Sequence, residues 1–186
     1  MKLLHPTAEL LPGYVAALQR GWSADNLRGA AAAQEDLQRI ATDPAAFLAR
    51  MHDIEAAGPP VTLPSGVQVA RIPGFTRWMW TDEGFDGSIN LRWPKDLGAL
   101  PPHVLGHIGY AVVPWQQGRG HAKAALAELL DLAREQGLSH VLLTTDPDNI
   151  ASQRVMLANG AVLMEPFNRG PNYGDTPALR YRIELV

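Results

Sequence analysis

The sequence predicts an α/β (α+β) fold, a mixed sheet flanked by helices. Three observations carry that expectation. Residues 1–60 hold helix signals only. Apolar and polar residues then alternate around Phe75 to Arg92, the pattern of a β-hairpin. From there on, strand-like and helix-like segments alternate. At 186 residues one domain, 1–186, is the expectation, with a helical region over 1–60 and a core over 70–186.

The elements follow in order. Leu11 to Arg20 opens with Pro12, a favourable first-turn residue. Ala31 to Ile40 places Leu37 and Ile40 on one face. Asp43-Pro44 reads as a cap followed by a first-turn proline, predicting a helix from Pro44 to Ala57 that Gly58-Pro59-Pro60 ends. Phe75 to Thr81 is a strand with Thr76, Trp78 and Trp80 on one face. Residues 82–87 carry turn chemistry, and Ser88 to Arg92 is the return strand. The prolines of 93–106 predict a loop, and His107 to Val113 a strand that Pro114 stops. Ala122 to Gln136 has the strongest helical stripe, closed by Gly137. His140 to Thr145 is a buried-type strand, Ile150 to Asn159 a short helix, and Ala161 to Phe167 and Leu179 to Leu185 two further strands.

Composition narrows the chemistry. The chain is 46% hydrophobic and 19% charged, as folded globular proteins are. It has no cysteine, which excludes a disulfide scaffold, a thiol nucleophile and Cys-based metal centres. The net charge of −3 gives no bulk attraction to nucleic acid or to an anionic membrane. No apolar run is long enough for a signal h-region or a membrane span. The cytoplasm is therefore the expected compartment, with no nucleic-acid or membrane partner. His103 and His107 are four apart, but the prolines and Gly106 around them argue against a helix and a metal site.

One segment carries chemistry. Val112-Val113-Pro114-Trp115-Gln116-Gln117-Gly118-Arg119-Gly120-His121-Ala122 joins a strand to the start of the best helix. Two glycines two apart permit a tight turn. The free N–H groups and dipole of a helix N-terminus favour an anion there. Arg119 adds a candidate charge-assisted contact. The loop lacks the Gly-Lys-Ser/Thr of a P-loop and the third glycine of the dinucleotide fingerprint.

Gln117-x-x-Gly120-x-Ala122 resembles the Gln/Arg-x-x-Gly-x-Gly/Ala signature of the GNAT acetyltransferases. Thr145 to Ser152, followed by Asn159-Gly160-Ala161, is similar to the strand–Asn-x-x-Ser–helix segment of that family. Residues 87–92 and 106–110 resemble a subgroup with undefined substrates. The resemblance covers about residues 70–186. It implies a mostly antiparallel central sheet with two splayed parallel strands, here His107–Val113 and His140–Thr145. Acetyl-CoA would lie in the splay, its pyrophosphate on the main chain of Gln117, Gly118, Arg119, Gly120, His121 and Ala122. Val112 and Val113 match the strand that pairs with the pantetheine and polarises the thioester. Asn149 and Ser152 match the second block, where Asn149 caps a helix, contacts the pantetheine arm, or does both. The 1–60 region would then form part of the acceptor wall.

The implied reaction is direct acetyl transfer to a primary amine of a small molecule, amino acid or peptide in a ternary complex, with no metal. His107, Tyr110 and Glu83 are the candidate catalytic groups. His107 has a suitable intrinsic pKa, and Glu83 stands in the hairpin turn. One departure stands out. Counting from Asn149, the slot of the usual general-acid tyrosine holds Met156, which leaves Tyr173 or Tyr181 as alternatives. That departure supports a second reading, a non-catalytic acyl-CoA-binding module; a modifier of protein N-termini is a third. A monomer or homodimer is compatible with every reading.

Overall fold

A computed structural model describes residues 1–185. In chain order the elements are β1 (Lys2–Leu4), α1 (Leu11–Gln19), α2 (Ala30–Thr42), α3 (Pro44–Arg50), β2 (His52–Asp53), β3 (Val61–Thr62), β4 (Gln68–Val69), β5 (Gly74–Thr81), β6 (Gly84–Arg92), β7 (Ile108–Val112), α4 (His121–Glu135), β8 (His140–Thr145), α5 (Ile150–Leu157), β9 (Val162–Asn168) and β10 (Pro177–Glu184). Short 3-10 turns occupy Pro114–Gln116 and Pro171–Tyr173.

The strands form two antiparallel sheets and a small hairpin. One sheet runs β1-β5-β6-β7, with β2 also on β5; the second runs β8-β10-β9; β3 pairs with β4. The two sheets are hydrogen-bonded to each other at His107 and Leu142. The His107 N–H donates to the Leu142 carbonyl at 2.7 Å, and the Leu142 N–H donates to His107 Nδ1 at 2.9 Å. Beyond that apex, residues 108–112 and 143–146 line opposite walls of one cleft, so β7 and β8 leave it in the same direction. This is the splay that the sequence places between these two strands.

Two cores hold the sheet from its two faces. Ile89, Leu91, Ile108, Val141 and Leu143 pack with Leu126 and Leu129 of α4 and Met156 of α5. On the other face Trp78, Phe85, Ala111 and Val113 pack with Tyr14 and Leu18 of α1 and Phe47 of α3. Trp78 is fully buried and stacks on Tyr14 with ring centroids 5.0 Å apart. Trp78→Ala should cost about 3–5 kcal/mol, read by chemical denaturation, because it leaves the largest cavity that one truncation can make in this core.

Three local expectations are corrected. The helix predicted from Pro44 to Ala57 ends at Arg50. His52 and Asp53 pair with Phe75 and Gly74 instead, and the Asp53 carboxylate accepts from the N–H groups of Ala57 and Gly58, folding that stretch into a turn. The return strand of the hairpin begins at Gly84, four residues before Ser88. Its register shifts between Met79 and Trp80, so that Asp86 is an extra bulged residue between Phe85 and Gly87. The turn-like residues Asp86 and Gly87 thus sit inside a strand; a Cβ on Gly87 would overlap the Ala111 carbonyl oxygen. Finally, β1, β2 and the β3–β4 hairpin were not expected. Among the described residues no helix is long and apolar enough to cross a membrane.

Candidate active site

The cleft between β7 and β8 has a volume of about 1280 Å³. It runs from the start of α4, past α5, to α2 and the connection between α1 and α2. A cavity of this size accommodates a large ligand and a second, smaller one.

Its upper end is the glycine loop. Gly118 and Gly120 adopt φ of 76° and 82°, a left-handed conformation that disfavours other residues. Gly120 caps α4 without any side-chain hydrogen bond, and no acidic residue stands in the first turn. The first N–H groups of α4 are therefore available to an anion. Gln117 Nε2 donates to the Val112 carbonyl at 3.2 Å and ties the loop to β7. Arg20 stacks over Trp115, 3.4 Å from the ring centroid, and pins the loop to α1. Gln117, Gly118, Gly120, His121 and Ala122 all line the cleft, as the sequence places them.

Arg119 is different. Its side chain turns outward and forms an ion pair with Glu83 at 3.0 Å. Glu83 also accepts from Gln116 Nε2 at 2.9 Å, and these two donors hold its carboxyl below the usual glutamate range. Neither Arg119 nor Glu83 lines the cleft. The structure thus places Glu83, a candidate catalytic group, as a brace on the outer side of the loop, outside the cleft. Beneath the same loop the fully buried Asp86 carboxylate lies 3.8 Å from His121 Nε2.

Strand parity fixes which backbone groups face the ligand. Arg92 N–H donates to the His107 carbonyl and Val113 N–H to the Asp86 carbonyl. In an antiparallel pair the residues at 109, 111 and 113 then turn their N–H groups toward β6, while those at 108, 110 and 112 turn theirs away; His107 keeps only its carbonyl on β6, its N–H going to Leu142. β7 is the edge strand, so Tyr110 and Val112 present free N–H groups to the cleft. Val113, fully buried and bonded to Asp86, does not, so of the two valines only Val112 offers the cleft a backbone donor. The N–H of Tyr110 was missed by sequence reasoning, although period-two alternation from Val112 contains it.

Tyr110 and Ser152 meet across the cleft. The Tyr110 hydroxyl lies 2.7 Å from Ser152 Oγ and 3.2 Å from the Ser152 carbonyl. Burial raises the Tyr110 pKa to about 12, so the phenol stays protonated. Asn149 caps α5, its Oδ1 accepting from Ser152 N–H at 3.0 Å. Met156 is buried against the core and lines the cleft at its tyrosine-equivalent slot. Tyr173 and Tyr181 donate instead to the His103 carbonyl and to Gln153 Oε1.

His107 is not a wall of the cleft. It is 2% exposed and its Nδ1 is used by the Leu142 N–H at the apex of the splay. Burial, reinforced by His140 and Arg92, lowers its pKa to about 4. The neutral ring is thus a joint between the two sheets, and the structure sets this candidate base apart from the cleft. The linkage follows. The unfolded histidine takes up a proton near pH 6.5, the folded one only near 4. The stability that the neutral ring contributes is intact above about pH 6.5 and is lost as pH falls toward 4, by about 2–3 kcal/mol. Denaturation curves at pH 7 and 4.5 should show a drop that His107→Asn, which keeps an acceptor for Leu142, lessens. His103 does line the cleft, and its imidazole makes no side-chain hydrogen bond among the described residues.

The model of the acetyltransferase (GNAT) domain family matches residues 26–162. Among solved structures, the chain is similar to the ribosomal L7/L12 α-N-protein acetyltransferase RimL in complex with coenzyme A, with a TM-score of 0.63, 14% identity, and 98% of this chain and 92% of that one covered. It is similar to the microcin C7 self-immunity acetyltransferase MccE in complex with acetyl-CoA and AMP, with a TM-score of 0.60, 13% identity and coverage of 98% and 91%. It is also similar to a spermidine N-acetyltransferase chimera of the Vibrio cholerae and human enzymes, with a TM-score of 0.56, 12% identity and coverage of 99% and 95%. No curated protein matches significantly in sequence.

Proposed function

From the premise that the chain belongs to the GNAT acetyltransferase family, we propose that it transfers the acetyl group of acetyl-CoA directly to a primary amine in a ternary complex. The observation that carries this reading is the cleft itself. An anion loop with left-handed Gly118 and Gly120 stands at one end of a free strand edge, and a roomy chamber against α2 and the α1–α2 connection stands at the other. With no cysteine in the chain, no acetyl-cysteine intermediate forms, and direct attack is the simplest route.

Each residue then has a task. The first N–H groups of α4 hold the pyrophosphate of the donor. The N–H groups of Val112 and Tyr110 face the charge that develops on the thioester oxygen. The acceptor amine loses its proton through water to His103, which replaces His107 as the candidate base. The Tyr110 hydroxyl, held by Ser152, donates a hydrogen bond to the departing thiolate. With a pKa near 12 it stabilises the thiolate rather than protonating it outright, and solvent completes that step. Tyr110 thereby takes the place of the tyrosine that Met156 displaces. Tyr110→Phe should lower kcat about tenfold with little change in the KM for acetyl-CoA, measured by thiol release.

The direct test is acetyl-CoA turnover across amines, amino acids and peptides, reading released thiol and acetylated product. Acetylation of at least one amine class is expected. Acetyl-CoA binding without turnover on any of them favours the non-catalytic acyl-CoA-binding reading, for which Met156 is the supporting observation. No acetyl-CoA binding by calorimetry overturns both.

A further inference from the structure

Charge is distributed unevenly in this chain. Its net charge is −3, yet seven Lys and Arg residues line the cleft against four Asp. Every one of those aspartates is ion-paired with an arginine. The surplus is therefore cationic. Lys123 and Arg154 belong to α4 and α5, beside the anion loop, and Arg50 is largely exposed at the end of α3. Arg92 fits neither description. It sits in the sheet itself, at the far end of β6 from the glycine loop.

The setting of Arg92 is specific. Ile89 and Leu91 of β6 face the α4 core, so Ser88, Asn90 and Arg92 face the other way, toward the chamber bounded by α2 and the α1–α2 connection. Arg92 Nε donates to the Gly106 carbonyl at 2.8 Å, which fixes the plane of the guanidinium. Its two terminal nitrogens make no hydrogen bond and no ion pair among the described residues. Burial disfavours the charge and pulls its pKa down, with no carboxylate to offset that. Asn90, two residues back on the same face, also lines the cleft and has no side-chain hydrogen bond among the described residues. Asn90 stands opposite Gly109, next to Tyr110.

We propose that Arg92 is the specificity-determining residue of the acceptor site, its terminal nitrogens forking onto an oxyanion, carboxylate or phosphate, that the acceptor carries a few bonds from its amine. A guanidinium held by its Nε presents the two terminal N–H groups in the geometry that suits two oxygens of one anion. Two strand residues span about 7 Å, which sets the distance from the Arg92 position back to the strand level of Gly109 and Tyr110. A dipeptide, 4-aminobutyrate or O-phosphoethanolamine sets its anion several bonds from its amine and so approaches this spacing more closely than an α-amino acid; a polyamine offers no group for the fork. The inference rests on the acetyltransferase reading and names the class of acceptor.

The test compares matched acceptors that differ only in the anion: ethanolamine against serine and O-phosphoethanolamine, and butylamine against 4-aminobutyrate. In the wild-type protein the oxyanion-bearing member of a set should be favoured about 10- to 100-fold in kcat/KM. The better of 4-aminobutyrate and O-phosphoethanolamine, each set against its uncharged partner and equal in the bonds between amine and anion, tells carboxylate from phosphate. Arg92→Gln should collapse the ratio toward one, and Arg92→Lys, which keeps charge but not the fork, should leave an intermediate ratio. Acetyl-CoA titration by calorimetry reports whether each variant is folded; if Arg92→Gln is not, the wild-type ratios and Arg92→Lys still decide. Equal turnover of charged and uncharged acceptors, or a preference that survives Arg92→Gln, overturns the proposal. If acetyl-CoA binds but no amine is acetylated, the catalytic reading fails by itself. Arg92 is then judged by binding of N-acetylserine against N-acetylethanolamine to the CoA-loaded protein, where equal affinity overturns it.

Discussion

Gly120→Val should raise the dissociation constant for acetyl-CoA at least about 100-fold while the protein stays folded. Two effects combine. At φ of 82°, an L-residue costs roughly 1–2 kcal/mol, more for a β-branched side chain. Nothing lies within 4 Å of a Cβ built on Gly120, so no neighbour is displaced. That open space is the approach to the first N–H groups of α4. A side chain there keeps the pyrophosphate from them, and each charge-assisted hydrogen bond lost is worth about 1.5–3 kcal/mol. Two such losses amount to about 3–6 kcal/mol, or two to four decades in affinity. Gly160→Val is the control. Gly160 has φ of 81° and equally open space, but it closes α5 away from the loop. Both variants should melt a few degrees early; only Gly120→Val should lose binding in calorimetry. Equal binding by the two variants would mean that the loop does not hold the donor.

What was legible in the sequence depended on how local its cause is. β8 matches its predicted span, and α4 begins within one residue of it, because each carries its own periodicity and stop signals. The glycine loop was legible for the same reason, since both its conformation and its anion affinity are written in adjacent residues. The helix over 44–57 failed because Asp53 answers to Ala57, Gly58 and β5 rather than to its helical neighbours. Asp86 and Gly87 were taken for a turn because a bulge uses the same residue types, and only pairing with Met79 and Trp80 tells the two apart. The placement of His107 and Glu83 outside the cleft has a tertiary reason. A histidine at the start of a strand looks free until its ring is found on the Leu142 N–H, and a glutamate in a turn looks free until Arg119 folds back onto it. Arg92 had no sequence signal at all; only the folded chain shows its Nε held by Gly106 and its terminal nitrogens without a partner among the described residues.

The free edge of β7 leads to the second large effect. Val112→Pro should lower kcat/KM about 100- to 1000-fold, the usual cost of one lost donor to a developing oxyanion. The substitution replaces the amide hydrogen by the ring methylene of proline on the cleft side of the strand. Because the Val112 N–H points away from β6, the ladder with β6 keeps its hydrogen bonds, and an edge strand tolerates proline on its outer side. The Val112 carbonyl remains to accept from Gln117 Nε2, so the loop keeps its tie to the strand. Val113→Pro makes the opposite change. It deletes the N–H that donates to the Asp86 carbonyl at 2.8 Å in a fully buried position, so it should destabilise the protein and lower the melting temperature. The pair separates chemistry from folding at neighbouring residues. Steady-state kinetics and thermal melts on both variants make the measurement, and a Val112→Pro protein within about threefold of wild-type activity would show that this N–H does not face the reacting carbonyl.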